Sequence, residues 1–254
     1  MRKVLIIGIG AGNPDYVTVQ AINALNQADV FFIPSKGLEK EDLQRLRLEI
    51  CERFIKDRNY RLVDFETPER SRDSSDYKGS VQDWHSRIEG IYETLLTEEF
   101  GDGECGAFLV WGDPTLYDST LRIIDRIQSR GGIALEYEVI PGISSIQALA
   151  ARHRVALNRI GESVCLTTGR KLREGFPVNA DSVVVLLDGE QSFQKIDGSD
   201  IDIYWGAYLG TEDEILVSGR LSDVANDIKA IRAQARAKNG WIMDTYLLRR
   251  DVKK

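Results

Sequence analysis

Short apolar runs alternating with amphipathic segments set the pattern of this chain. Val4-Leu5-Ile6-Ile7, Val30-Phe31-Phe32-Ile33 and Ala107-Phe108-Leu109-Val110 are unbroken apolar tetrads, each followed within two residues by glycine or proline. Such runs are what strands buried on both faces of a parallel sheet look like. Further strands are predicted over residues 133–140, 163–168, 182–187, 201–209 and 241–248. Between the strands the apolar positions fall at helical spacing. Val17, Ala21, Ala24, Leu25 and Ala28 form one stripe, with Asp15 or Thr18 available as N-cap. Leu43, Leu46, Ile50 and Phe54 mark a helix over residues 40–56, and Val81, Trp84, Ile88, Ile91 and Leu95 mark another. Residues 119–130 form a helix closed by Gly131-Gly132; two more carry Ile146, Leu149 and Ala150, and residues 221–237. Residues 66–79 are polar and of mixed charge, which predicts a loop. The whole reads as an α/β fold of two α/β layers, residues 1–120 and 121–254, with the hinge in or just after the helix over 119–130.

Length and composition fit that picture. The 254 residues suffice for one large domain or two of ordinary size, and the 33 basic against 40 acidic residues give a net charge of −7. An acidic total disfavours general nucleic-acid binding. No apolar run approaches the roughly 20 residues that span a bilayer, and the apolar start after Met1-Arg2-Lys3 is too short for a signal peptide. Cys51, Cys105 and Cys165 are far apart with no Cys-x-x-Cys, and His85 and His153 are the two histidines. That set predicts a reduced, cytoplasmic, metal-free protein.

The candidate chemistry lies in three turns at strand carboxyl ends, where open α/β sheets place their ligands. Val110-Trp111-Gly112-Asp113-Pro114-Thr115-Leu116-Tyr117 is the central one; Gly8-Ile9-Gly10-Ala11-Gly12-Asn13-Pro14-Asp15 precedes it and Pro141-Gly142-Ile143-Ser144-Ser145 follows. The first turn invites comparison with a dinucleotide-binding loop. Its third glycine falls one position early, however, position 13 is Asn, and Pro14 delays the helix that would receive the pyrophosphate. Asp29 stands before the second strand, whereas a ribose-binding carboxylate would end it. Ser144 has a plainer use as an N-cap, which leaves the adjoining Pro-Gly and the second hydroxyl unexplained. His85 reads as a satisfied helix residue.

Taken together, GIGAGNPDYVT at 8–18, WGDPTLY at 111–117 and EVIPGISS at 138–145 resemble, in this order, the signatures of the tetrapyrrole (precorrin) methylases, the class III methyltransferases. The resemblance runs from the first strand to about Trp241. It is nearest to the deacetylating branch of that family, through Lys36-Gly37, Lys40, Asp42-Leu43, Leu46-Arg47, Tyr60-Arg61-Leu62-Val63, Pro68-Glu69-Arg70 and Leu209-Gly210-Thr211-Glu212-Asp213-Glu214. Pro34 with Lys36, and Asp188-Gly189, depart from the wider family at two positions. What the resemblance implies is a two-domain class III fold with a cofactor cleft between the domains. S-adenosyl-L-methionine would be bound there and S-adenosyl-L-homocysteine released. Trp111, Gly112, Asp113, Leu116, Tyr117, Ser144 and Ser145 would hold the methionine part, and Leu187, Asp188, Tyr208 and Trp241 the adenine. Gly10, Gly12, Pro14 and Asp15 would face the macrocycle.

The implied reaction is methylation at C-1 of precorrin-5 with loss of the acetyl group as acetate, in cobalamin (corrin) biosynthesis. Methyl transfer is an in-line displacement that requires placement and exclusion of water. Acetate loss requires a base or an activated water, and Lys36, Asp113 and Tyr117 are the catalytic candidates. A substrate rich in carboxylates makes Arg70, Arg72, Arg170, Lys171 and Arg173 candidate clamps. The family tendency is a homodimer, with a small tetrapyrrole and neither nucleic acid nor membrane as partner. Open alternatives are another precorrin or uroporphyrinogen methyltransferase of the same fold, and a non-catalytic tetrapyrrole-binding protein.

Overall fold

The computed structural model describes residues 1–35, 41–56, 59–68 and 77–251. The chain forms two compact units, one made of residues 1–10 and 14–144, the other of residues 11–13 and 145–254.

The first unit is a five-stranded parallel sheet in the order β3-β2-β4-β1-β5. Its strands are β1 (Arg2–Gly8), β2 (Val30–Ser35), β3 (Arg61–Glu66), β4 (Cys105–Val110) and β5 (Leu135–Ile140). The two-residue period of a strand sorts the apolar tetrads onto opposite faces. Leu5, Ile7, Phe31, Ile33 and Leu109 pack against α1 (Val19–Leu25) and α2 (Glu41–Phe54). Val4, Ile6, Phe32, Phe108 and Val110 pack against α3 (Tyr77–Glu98) and α4 (Thr120–Arg130). Both faces are covered, so the central strands β1, β2 and β4 carry unbroken apolar runs. The Thr18 hydroxyl caps α1, accepting from Ala21 N at 3.0 Å, while a single 3-10 turn, Pro14–Tyr16, occupies the residues that Pro14 keeps out of the helix. Gly131 ends α4 in the left-handed conformation with φ 71°.

The second unit is a mixed sheet ordered β6-β7-β10-β8-β9. Its strands are β6 (Val164–Thr168), β7 (Ser182–Leu186), β8 (Ile201–Ala207), β9 (Ile215–Arg220) and β10 (Asp244–Arg250). β6 and β7 run parallel, whereas β10 is antiparallel to both β7 and β8. α5 (Ser145–His153), the short α6 (Gly169–Leu172) and α7 (Leu221–Asn239) cover it, with Trp205, Tyr246, Phe193 and Ile228 at the centre of the core.

Three expectations change. The division falls between Ser144 and Ser145, not at residue 120, because β5 returns to pair with β1 over six residues, so α4 and β5 complete the first sheet. β3 and β9 are strands where none was predicted. Both are edge strands with few buried positions, so neither carries the apolar run that marks a central strand. α3 begins at Tyr77, inside the predicted loop over 66–79. Among the described residues, no helix is long and apolar enough to cross a membrane.

Candidate functional site

In the first unit the three turns meet. β4, β1 and β5 are neighbours, and their carboxyl ends are stitched backbone to backbone. Gly10 and Gly112 form an antiparallel bridge, with Gly112 N donating to Gly10 O at 2.8 Å and Gly10 N to Gly112 O at 3.3 Å. Gly142 packs so closely that a Cβ there would lie 2.1 Å from Gly112 O, and one on Gly8 would lie 2.6 Å from Gly142 N. The glycines of these motifs therefore create room for the chain's own backbone. Gly12 does the same in the second unit, where its Cβ position falls 2.3 Å from Leu209 O.

Asp113 ties the knot. Its Oδ2 accepts from Gly142 N at 2.9 Å, and its Oδ1 accepts from Thr115 N at 2.8 Å and from the Thr115 hydroxyl. With both oxygens committed, Asp113 positions the turns, and the base that the sequence suggested has no oxygen without a donor. Tyr117 follows at φ 55°, a conformation costly for a bulky residue, and is 41% exposed. Trp111 and Leu116 are half-buried, and Ser144 is buried at the start of the segment leading to α5. Asp15 forms an ion pair with Arg53 on α2.

In the second unit the turn after β7 and the end of β8 carry the remaining candidates. Leu187 at φ 54° is 68% exposed, and Tyr208 at φ 50° is buried. Tyr117, Leu187 and Tyr208 are thus three of the five described non-glycine residues with positive φ. Strain of this kind concentrates at functional sites. The Tyr208 hydroxyl donates to the carbonyls of Trp241 and Ala235, and the two rings meet edge-on at 5.0 Å. Among the described residues, the buried Trp241 Nε1–H has no hydrogen-bond partner. Asp188 turns inward: it accepts from Ser192 N at 2.6 Å, the Ser192 hydroxyl at 2.8 Å and the Tyr246 hydroxyl at 2.6 Å. Burial and the Asp188 charge push the Tyr246 phenol far above its ordinary pKa. The Asp188 carboxylate is therefore a structural strut, and only its backbone remains for a ligand. Arg232 supports it from α7, donating to Asp188 O and pairing with Asp244 at 2.9 Å.

Arg170, Lys171 and Arg173 sit on and just after α6, exposed. Lys171 pairs with Glu174 at 3.0 Å and Arg173 with Glu190. Such exposed pairs are weak and readily exchanged for a ligand carboxylate. Lys36, Arg70 and Arg72 lie outside the described residues. His85 is paired as expected, its Nε2 3.3 Å from Ser119 Oγ. Asp29 likewise has a structural partner, accepting from Cys105 N at 2.8 Å.

One polar residue at this end of the sheet was not anticipated. Arg47 on α2 is only 9% exposed; its Nε donates to Leu109 O at 3.0 Å and its Nη1 to Leu43 O at 2.9 Å. A signal for it exists in the sequence. Position 47 lies four after Leu43 and three before Ile50, on the apolar stripe, where an arginine is out of place.

The family model of tetrapyrrole (corrin/porphyrin) methylases matches residues 3–225. The chain belongs to the tetrapyrrole methylases. Among curated members of the family, it is 57% identical over 98% of its length, and 96% of the other chain, to a Sinorhizobium protein named precorrin-6A synthase (deacetylating). A crystal structure of a cobalamin-synthesis-related protein, CobF, from Corynebacterium diphtheriae superposes with a TM-score of 0.85 at 36% identity, covering 98% of this chain and 99% of that one. A Thermus thermophilus uroporphyrin-III C-methyl transferase, solved with S-adenosyl homocysteine, shares the fold at a TM-score of 0.57 and 16% identity, covering 97% and 96% of the two chains.

Proposed function

We propose that this tetrapyrrole methylase is an S-adenosylmethionine-dependent C-methyltransferase that methylates precorrin-5 at C-1 and releases the acetyl group as acetate, the precorrin-6A synthase reaction. The observation that carries this conclusion is the 57% identity extending over 98% of the chain, and so over both units. The residues suit the donor. The knotted turns of the first unit offer a rigid backbone edge at Trp111-Gly112-Asp113, and the second unit offers, beside Tyr208, the Trp241 Nε1–H, a donor with no acceptor among the described residues and one that an adenine ring nitrogen would suit.

The bound donor supplies an electrophilic methyl group on sulfur. The chain's part is placement. Trp111, Gly112, Leu116, Tyr117, Ser144 and Ser145 hold the amino-acid end, while Leu187, the Asp188 backbone, Tyr208 and Trp241 hold the base. Asp113 keeps the turns in register and leaves proton transfer to Lys36 and Tyr117. In the transfer, the bond from sulfur to methyl breaks as the C-1 electron pair forms the new carbon–carbon bond. Water then adds to the acetyl carbonyl; acetate departs and the ring carbon takes a proton. Gly10, Gly12, Pro14 and Asp15 border the macrocycle, and Arg70, Arg72, Arg170, Lys171 and Arg173 meet its carboxylates. The protein acts in the cytoplasm as a homodimer, on a small tetrapyrrole and not on nucleic acid.

The test is an incubation with precorrin-5 and methyl-labelled donor, with tetrapyrrole label and free acetate measured together. Equal amounts of both support the proposal. Label without acetate, or transfer to a different precorrin in preference, overturns it.

A further inference from the structure

Arg47 is a buried cation with no counter-ion among the described residues. It is 9% exposed, and among the described residues no carboxylate lies within ion-pair distance of it. Its Nε and Nη1 each donate to a backbone carbonyl, Leu109 O and Leu43 O, while Nη2 carries no hydrogen bond to any described residue. Asp118, whose charge acts on it, accepts a hydrogen bond from Thr120 N at 2.7 Å. Taking a guanidinium out of water is expensive unless an anion meets it, so an uncompensated one is costly to retain for packing alone.

Its place in the sheet gives the reason. Pairing between β2 and β4 covers only Val30–Phe32 with Gly106–Phe108, so the two strands part before their carboxyl ends. From β2 the chain leaves through α2 on one face; from β4 it leaves through α4 on the other. Adjacent strands whose connections diverge to opposite faces define the crevice in which open α/β sheets bind ligands. The guanidinium stands there, fixed by Leu109, two residues before Trp111. Its immobility means that little is lost when an anion docks on the remaining edge.

We propose that Arg47 anchors one carboxylate of the substrate through Nη2. The assignment deepens the tetrapyrrole-methylation proposal and rests on it for the identity of the anion's owner. A carboxylate is favoured because a charged Nη2 N–H forms its strongest hydrogen bond with an anionic oxygen.

The test has two arms. In the first, the apo protein is titrated with sodium acetate and sodium propionate while the Arg47 Nε–Hε resonance, assigned by its absence from Arg47→Met, is followed by NMR. A saturable shift with carboxylate but not with equal chloride is expected; no shift, or the same shift with chloride, overturns the assignment. In the second, Arg47→Lys and Arg47→Met are assayed for methyl transfer. Loss of one charge-assisted bond should raise the tetrapyrrole KM about 10- to 100-fold, with the lysine variant the milder. The S-adenosylhomocysteine Kd should stay within about twofold, since the hydrogen bonds of Arg47 reach none of the three knotted turns. A purely structural role would instead weaken both ligands alongside the melting temperature, and that result overturns the proposal. Should Arg47→Met fail to fold, the wild-type titration and the lysine variant still decide. A carboxylate-specific shift without any transfer to precorrin-5 retains the anchor and removes the functional proposal; transfer without a shift does the reverse.

Discussion

Gly142→Ala should disable this protein from the backbone outward. Gly142 has no positive φ to protect, so what it needs is space. An alanine Cβ would stand 2.1 Å from Gly112 O and 2.8 Å from Gly8 C, against a nearest ordinary approach of carbon to carbonyl oxygen of about 3.3 Å. Both obstacles are backbone, so no side-chain rotation relieves them, and the turns must separate by about 1 Å. Overpacking of this sort costs about 1–3 kcal/mol. Moving Gly142 also breaks its N–H bond to Asp113 Oδ2, now 2.9 Å, for about 1 kcal/mol more. A total near 3 kcal/mol lowers Tm by about 6–12 °C for a chain of this size. A 1 Å displacement at a binding turn weakens productive binding about 100-fold. Thermal melts by circular dichroism and calorimetric titration with S-adenosylhomocysteine measure the two effects. Gly90→Ala is the control: it lies in α3 with nothing within 4 Å of its Cβ position, and should gain about 0.5–1 kcal/mol. If Gly142→Ala melts with the wild type and binds as tightly, the three-turn knot is not what shapes the site.

Asp113→Asn should destabilise about as much as Asp113→Ala, by about 1–3 kcal/mol, because every group facing the carboxylate is a donor and an amide must turn its own N–H groups toward one of them; a stable but inactive Asp113→Asn would restore Asp113 as the base. Asp244→Ala strands the Arg232 guanidinium, where the two side chains are 7% and 5% exposed, and urea melts should show a loss of about 3–5 kcal/mol. Lys171→Ala, which removes an exposed partner of Glu174, should cost less than about 1 kcal/mol in the same measurement. Burial raises the Cys51 thiol to about 12 and the Cys105 thiol to about 11 from 9.0. The unfolded chain therefore releases these protons first, and stability should fall as pH rises above 9, by up to about 1.4 kcal/mol per pH unit for each thiol. Urea melts between pH 8 and 10 should show that slope, and it should flatten in the Cys51→Ala, Cys105→Ala double variant; parallel curves would refute the assignment.

What the sequence discloses and what it hides divide along physical lines. The central strands announce themselves because burial on both faces demands unbroken apolar tetrads, as in Val4–Ile7 and Ala107–Val110. Glycine and proline likewise mark the three turns. β3 escapes notice because it lies at the sheet edge, where Phe65 is its one fully buried residue. The division at Ser144 is hidden for a different reason: the pairing of β5 with β1 joins residues more than a hundred apart, and nothing local records it. Side-chain direction is hidden too. Asp188 stands at the predicted turn, yet its carboxylate folds inward to Ser192 and Tyr246. The positive φ of Tyr117, Leu187 and Tyr208 has no signature in residue type. Arg47 is legible as a charge on an apolar stripe, but only the structure shows its Nη2 edge without an acceptor among the described residues.

The most direct measurement is a crystal structure of the protein with S-adenosylhomocysteine. The amino-acid end of the ligand should lie within hydrogen-bonding distance of the Trp111-Gly112-Asp113 backbone, with the Asp113–Gly142 bond intact and the Trp241 Nε1–H engaged by the base. A ligand lodged away from that turn while the knot stays unchanged would contradict the account.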